Sequence, residues 1–174
     1  MLIRDCRASD LDLLERAAPS GLNNRHVRRF EEQAAGQAVV LVAFRDGTPL
    51  GACALMWGAR MPTVRKVYPD CPEINGLDVF QAELRGQGIG SALIGAAEER
   101  AREAGRARIG LGVADDNPRA AGLYSRLGYR PGIRYNDEYV HLDDSGVEHF
   151  VSDPATFLLK DLYAGASPKS GMPS

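Results

Sequence analysis

The hydrophobic positions of this chain repeat at two spacings, which are typical of different secondary structures. Every second residue is apolar in a half-buried strand, whereas every third or fourth residue is apolar in an amphipathic helix. Along the first half of the chain these spacings predict, in order, a strand at residues 2–7, a helix after Asp10, a helix at 23–35, and strands at 38–44, 50–57 and 73–80. The turn Asp46-Gly47 joins two of these strands as a hairpin, and the third extends it to an antiparallel meander. Prolines and several charges mark residues 58–72 as a loop.

Strands and helices alternate in the second half of the chain. The pattern predicts, in order, a helix at residues 89–104, a strand at 107–113, a helix at 118–127, and a hairpin of strands at 133–142 and 148–159. Residues 163–174 are small, polar and rich in Gly, Ser and Pro, so we expect a disordered tail. We therefore predict a single domain over residues 1–162 with a mixed α/β sheet.

Composition and charge narrow the function classes. A net charge of −2 gives no electrostatic footprint for nucleic acid, and we interpret the basic run at residues 25–29 as a solvated helix face. The three cysteines lack a CxxC spacing, and their odd number disfavours a disulfide framework. Charges at Arg4 and Asp5 interrupt any signal-peptide core, and no apolar run reaches the length of a membrane span. We expect a cytoplasmic protein that binds neither nucleic acid nor membranes.

The segment RGQGIG, from Arg85 to Gly90, lies between a predicted strand and a predicted helix. Glycines let the backbone approach a ligand closely, and a helix N-terminus carries partial positive charge, so this segment is a candidate anion site. A P-loop would need Gly-Lys followed by Ser or Thr, and a dinucleotide GxGxxG would need glycine where Ser91 stands. Asp115 and Asp116 keep the dinucleotide alternative open. A glycine-rich turn that binds nothing is the third alternative.

A second motif, NPRAAGLYSRLGY, follows at residues 117–129. Asn117 is a typical N-cap, Pro118 suits the first helical position, and Gly128 suits the position that ends a helix. Asn117 and Tyr124 are separated by about two helical turns, so they lie on one side of this helix. The two residues would therefore face one groove.

The pairing of RxxGxG at Arg85, Gly88 and Gly90 with NxxAxxLYxxxGY downstream resembles the GCN5-related N-acetyltransferase (GNAT) family. The similarity is tightest over residues 73–131. It implies an acyl-CoA N-acyltransferase fold: a central, mostly antiparallel sheet with a splayed parallel pair, flanked by helices. It also implies acetyl-CoA as co-substrate, no metal, and, because relatives are often dimers, a homodimer.

The resemblance assigns the coenzyme to two segments of this chain. Backbone groups of Asp78, Val79 and Phe80 would pair with the pantetheine arm, and the Phe80 amide would face the thioester carbonyl. Arg85 starts the pyrophosphate motif, and the Asn117 side chain would contact the coenzyme. The amides that would hold the pyrophosphate belong to Gly86, Gln87, Gly88, Ile89, Gly90 and Ser91.

Catalysis in this family is a direct attack of a neutral amine on the thioester. Tyr124 matches the tyrosine that protonates the departing thiolate in many members, and Glu73 is the candidate base. A core role for Tyr124 and a solvated strand end for Glu73 remain alternatives. A subgroup carries a glutamate on the next strand, near the position of Gly112, and that base is absent. The three histidines, His26, His141 and His149, are further candidate bases by residue type, but their spacing gives no metal signature.

The sequence thus predicts an N-acetyltransferase for a primary amine of a small molecule or peptide. Acidic residues around the predicted site hint at a cationic amine: Glu73, Asp78, Asp137, Glu138, Asp143 and Asp144. A non-catalytic acyl-CoA sensor is the alternative, and a dinucleotide-binding oxidoreductase ranks behind both.

Overall fold

The computed structural model describes residues 1–163, and residues 164–174 of the predicted tail lie outside the described residues. Within the described part the chain forms seven strands and five α-helices. The strands are β1 (Leu2–Asp5), β2 (Ala38–Arg45), β3 (Thr48–Met56), β4 (Glu73–Val79), β5 (Arg108–Ala114), β6 (Arg130–Leu142) and β7 (Glu148–Asp161). The helices are α1 (Leu11–Ala17), α2 (Arg25–Ala34), α3 (Pro62–Val67), α4 (Ile89–Glu103) and α5 (Pro118–Arg126).

The strands form one mixed sheet in the order β1-β2-β3-β4-β5-β7-β6. All neighbours are antiparallel except β4 and β5, which run parallel. That parallel pair is held by Glu73 opposite Gly110 and Ile74 opposite Leu111 only, after which the two strands separate. The splayed pair and the mostly antiparallel sheet implied by the family resemblance are confirmed.

A bulge in β4 accompanies the separation of the strands. Ala54 and Ala52 of β3 lie opposite Asn75 and Asp78 of β4, so β4 contains one residue more than β3 over this stretch. Gly76 lies within the bulge at a φ of 57°, a left-handed conformation that glycine adopts without steric cost. The bulge turns the second half of β4 away from β5.

Helices cover both faces of the sheet. On one face α4 buries Leu93, Ile94 and Ala97 against β3 and β5. On the other face Leu14 of α1 packs against Val42 of β2 and its neighbours. Successive residues of β2 alternate between these two clusters, as the period of a strand requires. Burying apolar side chains on both faces is the main stabilising contribution to the fold.

Most predicted elements are present, with small shifts at many of their ends, and the main differences lie in the predicted loop and in the last hairpin. The predicted loop at residues 58–72 contains α3, because Pro62 occupies the first helical position and Val64 is buried. Strand β6 begins at Arg130, three residues before the prediction, and β7 continues to Asp161. These strands form a long hairpin that reaches beyond the rest of the sheet.

Glycine residues on β5 make room for side chains from the neighbouring hairpin. A Cβ atom on Gly110 would clash with the ring of Phe157, which is fully buried, and would lie 2.9 Å from the carbonyl oxygen of Leu158. At Gly112 the same position is occupied by the hydroxyl group of Tyr135 from β6. The close approach of β5 and the hairpin therefore depends on these two glycines.

Candidate active site

The glycine-rich segment forms an exposed anion cradle at the start of α4. Gly86 and Gly88 adopt φ values of 84° and 86°, and α4 begins at Ile89. A Cβ atom at either glycine would meet open space, so their backbone conformation rather than crowding requires glycine there. The first amides of a helix have no intrahelical acceptor, which leaves donors at the N-terminal end of α4. With the helix dipole, these amides suit a phosphate group.

The backbone amide of Gln87, unlike those at the start of α4, is hydrogen-bonded within the loop. Its amide donates to the Leu84 carbonyl at 3.3 Å, and its side-chain amide donates to the Glu83 carbonyl at 2.9 Å. The backbone donor predicted at Gln87 is therefore engaged within the loop. Arg85 is exposed, so its guanidinium can approach an anion from the solvent side.

The edge of β4 departs from the prediction at one position. The Phe80 amide donates to the Leu50 carbonyl at 3.0 Å, so it is not available to a thioester carbonyl. Asp78 and Val79 pair with Ala52 and Gly51 of β3. Because successive amides of a strand point to opposite edges, the Val79 amide faces the gap between β4 and β5. The bulge in β4 shifted this alternation, which sequence spacing alone did not reveal.

Asn117 and Tyr124 lie on α5, as predicted. The Asn117 Oδ1 atom accepts from the Ala120 amide at 3.1 Å and caps the helix, while the residue stays exposed. Its side-chain NH2 group remains available as a donor. Tyr124 is partly buried against the α4 face of the sheet, and burial raises the pKa of its phenol, with a further contribution from Cys53. The phenol is therefore a proton donor at neutral pH.

The last residue of the second motif is structural. Tyr129 is buried, and its hydroxyl donates to Glu98 Oε1 of α4 at 3.0 Å. Lys160 of β7 donates to both oxygens of the same carboxylate at 2.8 Å. The charge of Glu98 is thus compensated inside the protein, and the motif also ties α5 to α4.

Glu73 is a buried carboxylate at the point where β4 and β5 still pair. Its side chain is 5% exposed, and its Oε2 atom accepts from the Arg60 amide at 2.7 Å. The Oε1 atom accepts from Asn75 Nδ2 at 3.0 Å. Burial raises the pKa of Glu73 and outweighs these hydrogen bonds, which lower it. The interpretation of Glu73 as a solvated strand end is therefore wrong.

Glu73 faces a cleft of about 1010 Å³ between α2, the splayed strands and β6. Tyr135 and Asp137 of β6 also line this cleft, and Asp137 forms an ion pair with Arg60 there. Tyr135 stands over Gly112, where the subgroup of the family carries its glutamate. Burial and the nearby carboxylates raise the pKa of Tyr135, so its phenol stays protonated.

The basic run on α2 is only in part the solvated face that was predicted, because Arg28 is exposed but Arg25 and Arg29 are not. Arg25, Arg28 and Arg29 all line the cleft. Arg25 and Arg29 are only partly exposed, and burial lowers the pKa of the Arg29 guanidinium. Arg29 donates to Asn75 Oδ1 at 3.2 Å and to the Gly76 carbonyl at 3.3 Å. Helix α2 therefore faces the cleft with its arginines and the core with Phe30.

A side-chain clamp joins the two walls of the cleft. Asn23, just before α2, donates through Nδ2 to the Leu142 carbonyl at 2.8 Å. Its Oδ1 atom accepts from the Leu142 amide at 2.9 Å. This pair of bonds resembles one rung of a β-ladder and fixes the end of β6 to the arginine-bearing wall.

The histidines and cysteines do not add a catalytic group beside Glu73. His26 is buried with Nε2 2.7 Å from the Ala18 carbonyl oxygen, and His149 lies 2.8 Å from Asp143 on the exposed hairpin. His141 lines the cleft and stacks on His149 with ring centroids 5.2 Å apart. The cysteines are free and buried, and burial raises the pKa of the Cys71 thiol to about 12. Within residues 1–163 no His, Cys, Asp or Glu cluster has the arrangement of a metal site.

Solved structures share this architecture. A ribosomal-protein-alanine N-acetyltransferase from Brucella melitensis is 22% identical, with a TM-score of 0.64 over 92% of this chain and 99% of that chain. The ribosomal-protein-S18-alanine N-acetyltransferase from Escherichia coli is 14% identical, with a TM-score of 0.65 over 99% of both chains. A GNAT family acetyltransferase from Elizabethkingia anophelis, solved with acetyl-CoA bound, is 17% identical, with a TM-score of 0.60 over 92% of this chain and 97% of that chain. These likenesses show the fold.

Sequence comparison supplies the family. No curated protein sequence matches the chain. None of the helices in residues 1–163 is both long and apolar enough to cross a membrane. The family model described as "Acetyltransferase (GNAT) family" matches residues 10–129, which include both motifs and all of the strands from β2 to β5. The chain therefore belongs to the GNAT family of acetyltransferases.

Proposed function

We propose that this protein transfers an acetyl group from acetyl-CoA to the primary amine of a small molecule or peptide. The observation that carries the proposal is the buried Glu73 carboxylate, whose pKa is raised, at the opening between β4 and β5. A base with a raised pKa suits the removal of a proton from an ammonium group at neutral pH. The cleft in front of Glu73 offers room for an acceptor.

The anion cradle is the proposed site of the coenzyme pyrophosphate. Amides of Gly88, Ile89, Gly90 and Ser91 would bind its oxygens, with Arg85 adding charge from the solvent side. The exposure of the loop and the positive φ values of its glycines support this assignment. The Elizabethkingia anophelis acetyltransferase, which has the same fold, binds acetyl-CoA, and this supports the assignment.

The reaction would proceed by direct attack. Glu73, directly or through a water molecule, takes a proton from the ammonium group, and the amine nitrogen attacks the thioester carbonyl carbon. The developing oxyanion would accept a hydrogen bond from the Val79 amide, which faces the gap between the strands. As the carbon–sulfur bond breaks, the Tyr124 phenol gives its proton to the thiolate. The attacking nitrogen loses its second proton, which restores the phenol through solvent, and Glu73 releases the proton it took to solvent. The products are an acetylated amine and free coenzyme A.

A non-catalytic acyl-CoA sensor is the second candidate. It would use the same cradle, which binds without Glu73 or the cleft. Turnover with any amine would exclude this candidate. The dinucleotide-binding oxidoreductase has less support, because antiparallel strands β1 to β4 do not form a doubly wound parallel sheet.

The test combines thermal unfolding with thiol release. At a hundredfold excess over Kd, a ligand adds about 2.7 kcal/mol of stability, which raises the melting temperature by roughly 5–10 °C in a chain of this size. We expect that shift with acetyl-CoA, and release of free thiol when an acceptor amine is added. No shift at saturating acetyl-CoA would refute the proposal.

A matched pair of variants localises the binding. Gly88→Asp places a carboxylate in the cradle and is expected to abolish the shift with acetyl-CoA. Gly95→Asp adds the same charge on the exposed side of α4, where a Cβ atom meets open space, and is expected to preserve it. Equal loss in both variants would show that general charge on α4, rather than the cradle, governs binding.

A further inference from the structure

The cleft in front of Glu73 carries more positive than negative side chains. Its lining includes Arg25, Arg28, Arg29 and Arg60 together with Glu32, Glu73 and Asp137. A lining with this small excess of positive charge attracts an amine that also carries an anionic group more strongly than an amine alone. The lining therefore suits a substrate that also carries negative charge.

The arginines differ in how far the protein itself compensates them. Arg60 pairs with Asp137 and donates to the Glu138 carbonyl at 2.9 Å, so its charge is satisfied. Among the described residues Arg29 donates to two neutral acceptors, the Asn75 side chain and the Gly76 carbonyl, while the nearby Glu32 carboxylate forms no salt bridge with it. Within residues 1–163, the Arg28 side chain forms neither a hydrogen bond nor a salt bridge. Guanidinium groups that form no salt bridge are open to an anionic ligand, and of these two Arg28 is exposed whereas Arg29 is partly buried.

Arg25 adds a second unsatisfied group on the same wall. Its Nε atom is buried and has no hydrogen-bond partner among the described residues. Its nearest carboxylate contact, between Nη2 and Asp78 Oδ2, measures 3.9 Å, and both side chains are about a third exposed. A contact that long between partly exposed groups contributes little. The α2 wall therefore presents an arginine cluster, Arg25, Arg28 and Arg29, whose charge the protein leaves largely uncompensated.

The Asn75 side chain sets the distance between this cluster and the proposed base. Its Nδ2 atom donates to Glu73 at 3.0 Å, while its Oδ1 atom accepts from Arg29 at 3.2 Å. One side-chain amide thus separates the carboxylate that would receive the ammonium proton from the guanidinium that would bind an anion. A substrate that engages both needs its amine and its anionic group only a few bonds apart.

We propose that the acceptor is a small amine that also carries an anionic group, a carboxylate or phosphate, which is bound by the arginine cluster on α2. This inference rests on the proposed acetyl transfer and names its substrate class. Arg29 would bind the anion, Arg28 would join from the solvent side, and Glu73 would receive the ammonium proton. Neutral and purely cationic amines lack the group that these arginines bind.

Matched substrate pairs test the proposal. Tyrosine and tyramine differ only in the carboxylate, as do histidine and histamine, and O-phosphoethanolamine and ethanolamine differ in the phosphate. A charge-assisted hydrogen bond predicts that the anionic member of a pair has a kcat/KM at least about tenfold higher. The carboxylate and phosphate arms show which anion is bound. Equal or lower kcat/KM for every anionic member would overturn the proposal while leaving acetyl transfer established.

Variants of α2 test whether its arginines cause the preference for the anionic substrate. Arg29→Met and Arg28→Met remove the charge while keeping an unbranched apolar stem, and each is expected to reduce the preference for the anionic member. Arg28→Met is the variant expected to fold normally, because no protein hydrogen bond is lost. Arg16→Met, on the exposed side of α1, is the matched control and is expected to retain the preference. A preference unchanged in both α2 variants would also overturn the proposal.

A binding arm separates failure of this inference from failure of the proposed function. Thermal shifts with each pair are measured in the presence of free coenzyme A, where no transfer occurs. In one outcome the anionic members stabilise the wild type, and Arg29→Met and Arg28→Met reduce this stabilisation, while no amine is turned over. That outcome would support the anion site and count against acetyl transfer. Absence of any difference within the pairs in both arms would reject the anion site.

Discussion

Replacing Glu73 by glutamine separates its catalytic role from its structural one. A general base contributes typically ~10²–10⁴-fold, so we expect kcat/KM of Glu73→Gln to fall by that factor, equivalent to about 3–5 kcal/mol in the barrier. The change in stability has two opposing parts. A buried charge is removed, but one of the two N–H donors, from Arg60 or Asn75, now faces an NH2 group, which costs about 1–3 kcal/mol.

The pH dependence of the free energy of unfolding reports on the charge of the Glu73 carboxylate. Because the folded-state pKa of Glu73 lies above the unfolded value, the folded protein binds more protons between these two values. The contribution of Glu73 to the free energy of unfolding is therefore present below the ordinary glutamate pKa of 4.5 and is lost as pH rises through the raised pKa. The slope cannot exceed about 1.4 kcal/mol per pH unit for one group. Glu73→Gln should lack this component.

The assay is urea unfolding from pH 4.5 to 8, combined with kcat/KM over the same range. Wild-type kcat/KM should rise as Glu73 loses its proton, and the variant should lack that rise. Glu31→Gln, on the exposed side of α2, makes the same chemical change as a control and is expected to behave as wild type. The base assignment would be refuted if Glu73→Gln kept kcat/KM within about threefold of wild type and its free energy of unfolding changed with pH as in wild type.

Four further changes test other parts of the structure. Tyr124→Phe should lower kcat by ~10²-fold or more while thermal stabilisation by acetyl-CoA persists, and unchanged kcat would leave the phenol only a packing role. Asn117→Ala removes the cap of α5 and should reduce the free energy of unfolding by ~1 kcal/mol, measured by urea unfolding. Gly110→Ala should destabilise by about 1–3 kcal/mol or more, because the new methyl group meets the immobile ring of Phe157. Gly95→Ala, on exposed α4, should instead stabilise by ~0.5–1 kcal/mol, and loss of stability there would contradict the reasoning.

Elements specified by neighbouring residues were predictable from sequence. The hairpin of β2 and β3 follows from Asp46-Gly47, and both residues adopt the positive φ, 50° and 78°, that a tight hairpin turn requires. The caps of α5 follow from Asn117 and Gly128 in the same way. In each case the residue type itself selects the backbone conformation, so no distant contact is needed.

Groups that depend on tertiary contacts were not predictable. Arg29 reads as a surface residue of α2 until Gly76, far along the chain, is seen to leave room for its guanidinium. Tyr135 stands over Gly112 only because β6 and β7 place it there, and no local spacing indicates this register. Asn75, which contacts both Glu73 and Arg29, carried no sequence signal at all. The proposed base, Glu73, was indicated by the family resemblance, whereas its surroundings came from the structure.

The role of Phe80 shows the limit of transferring a motif by spacing. One extra residue in the bulge of β4 reverses which amides face the gap, and Phe80 then donates to Leu50 instead. The predicted homodimer stays a prediction.

The clamp between Asn23 and Leu142 has a consequence for the thermodynamics of substrate binding. Its partners are 119 residues apart in sequence, so the loss of chain entropy that brings the two walls together is incurred once, when the protein folds. A substrate then enters walls already fixed at their working separation and loses little affinity to ordering them. Preorganisation of this kind also sets an upper size for the acceptor, because walls tied at their rim cannot spread to admit a bulkier amine.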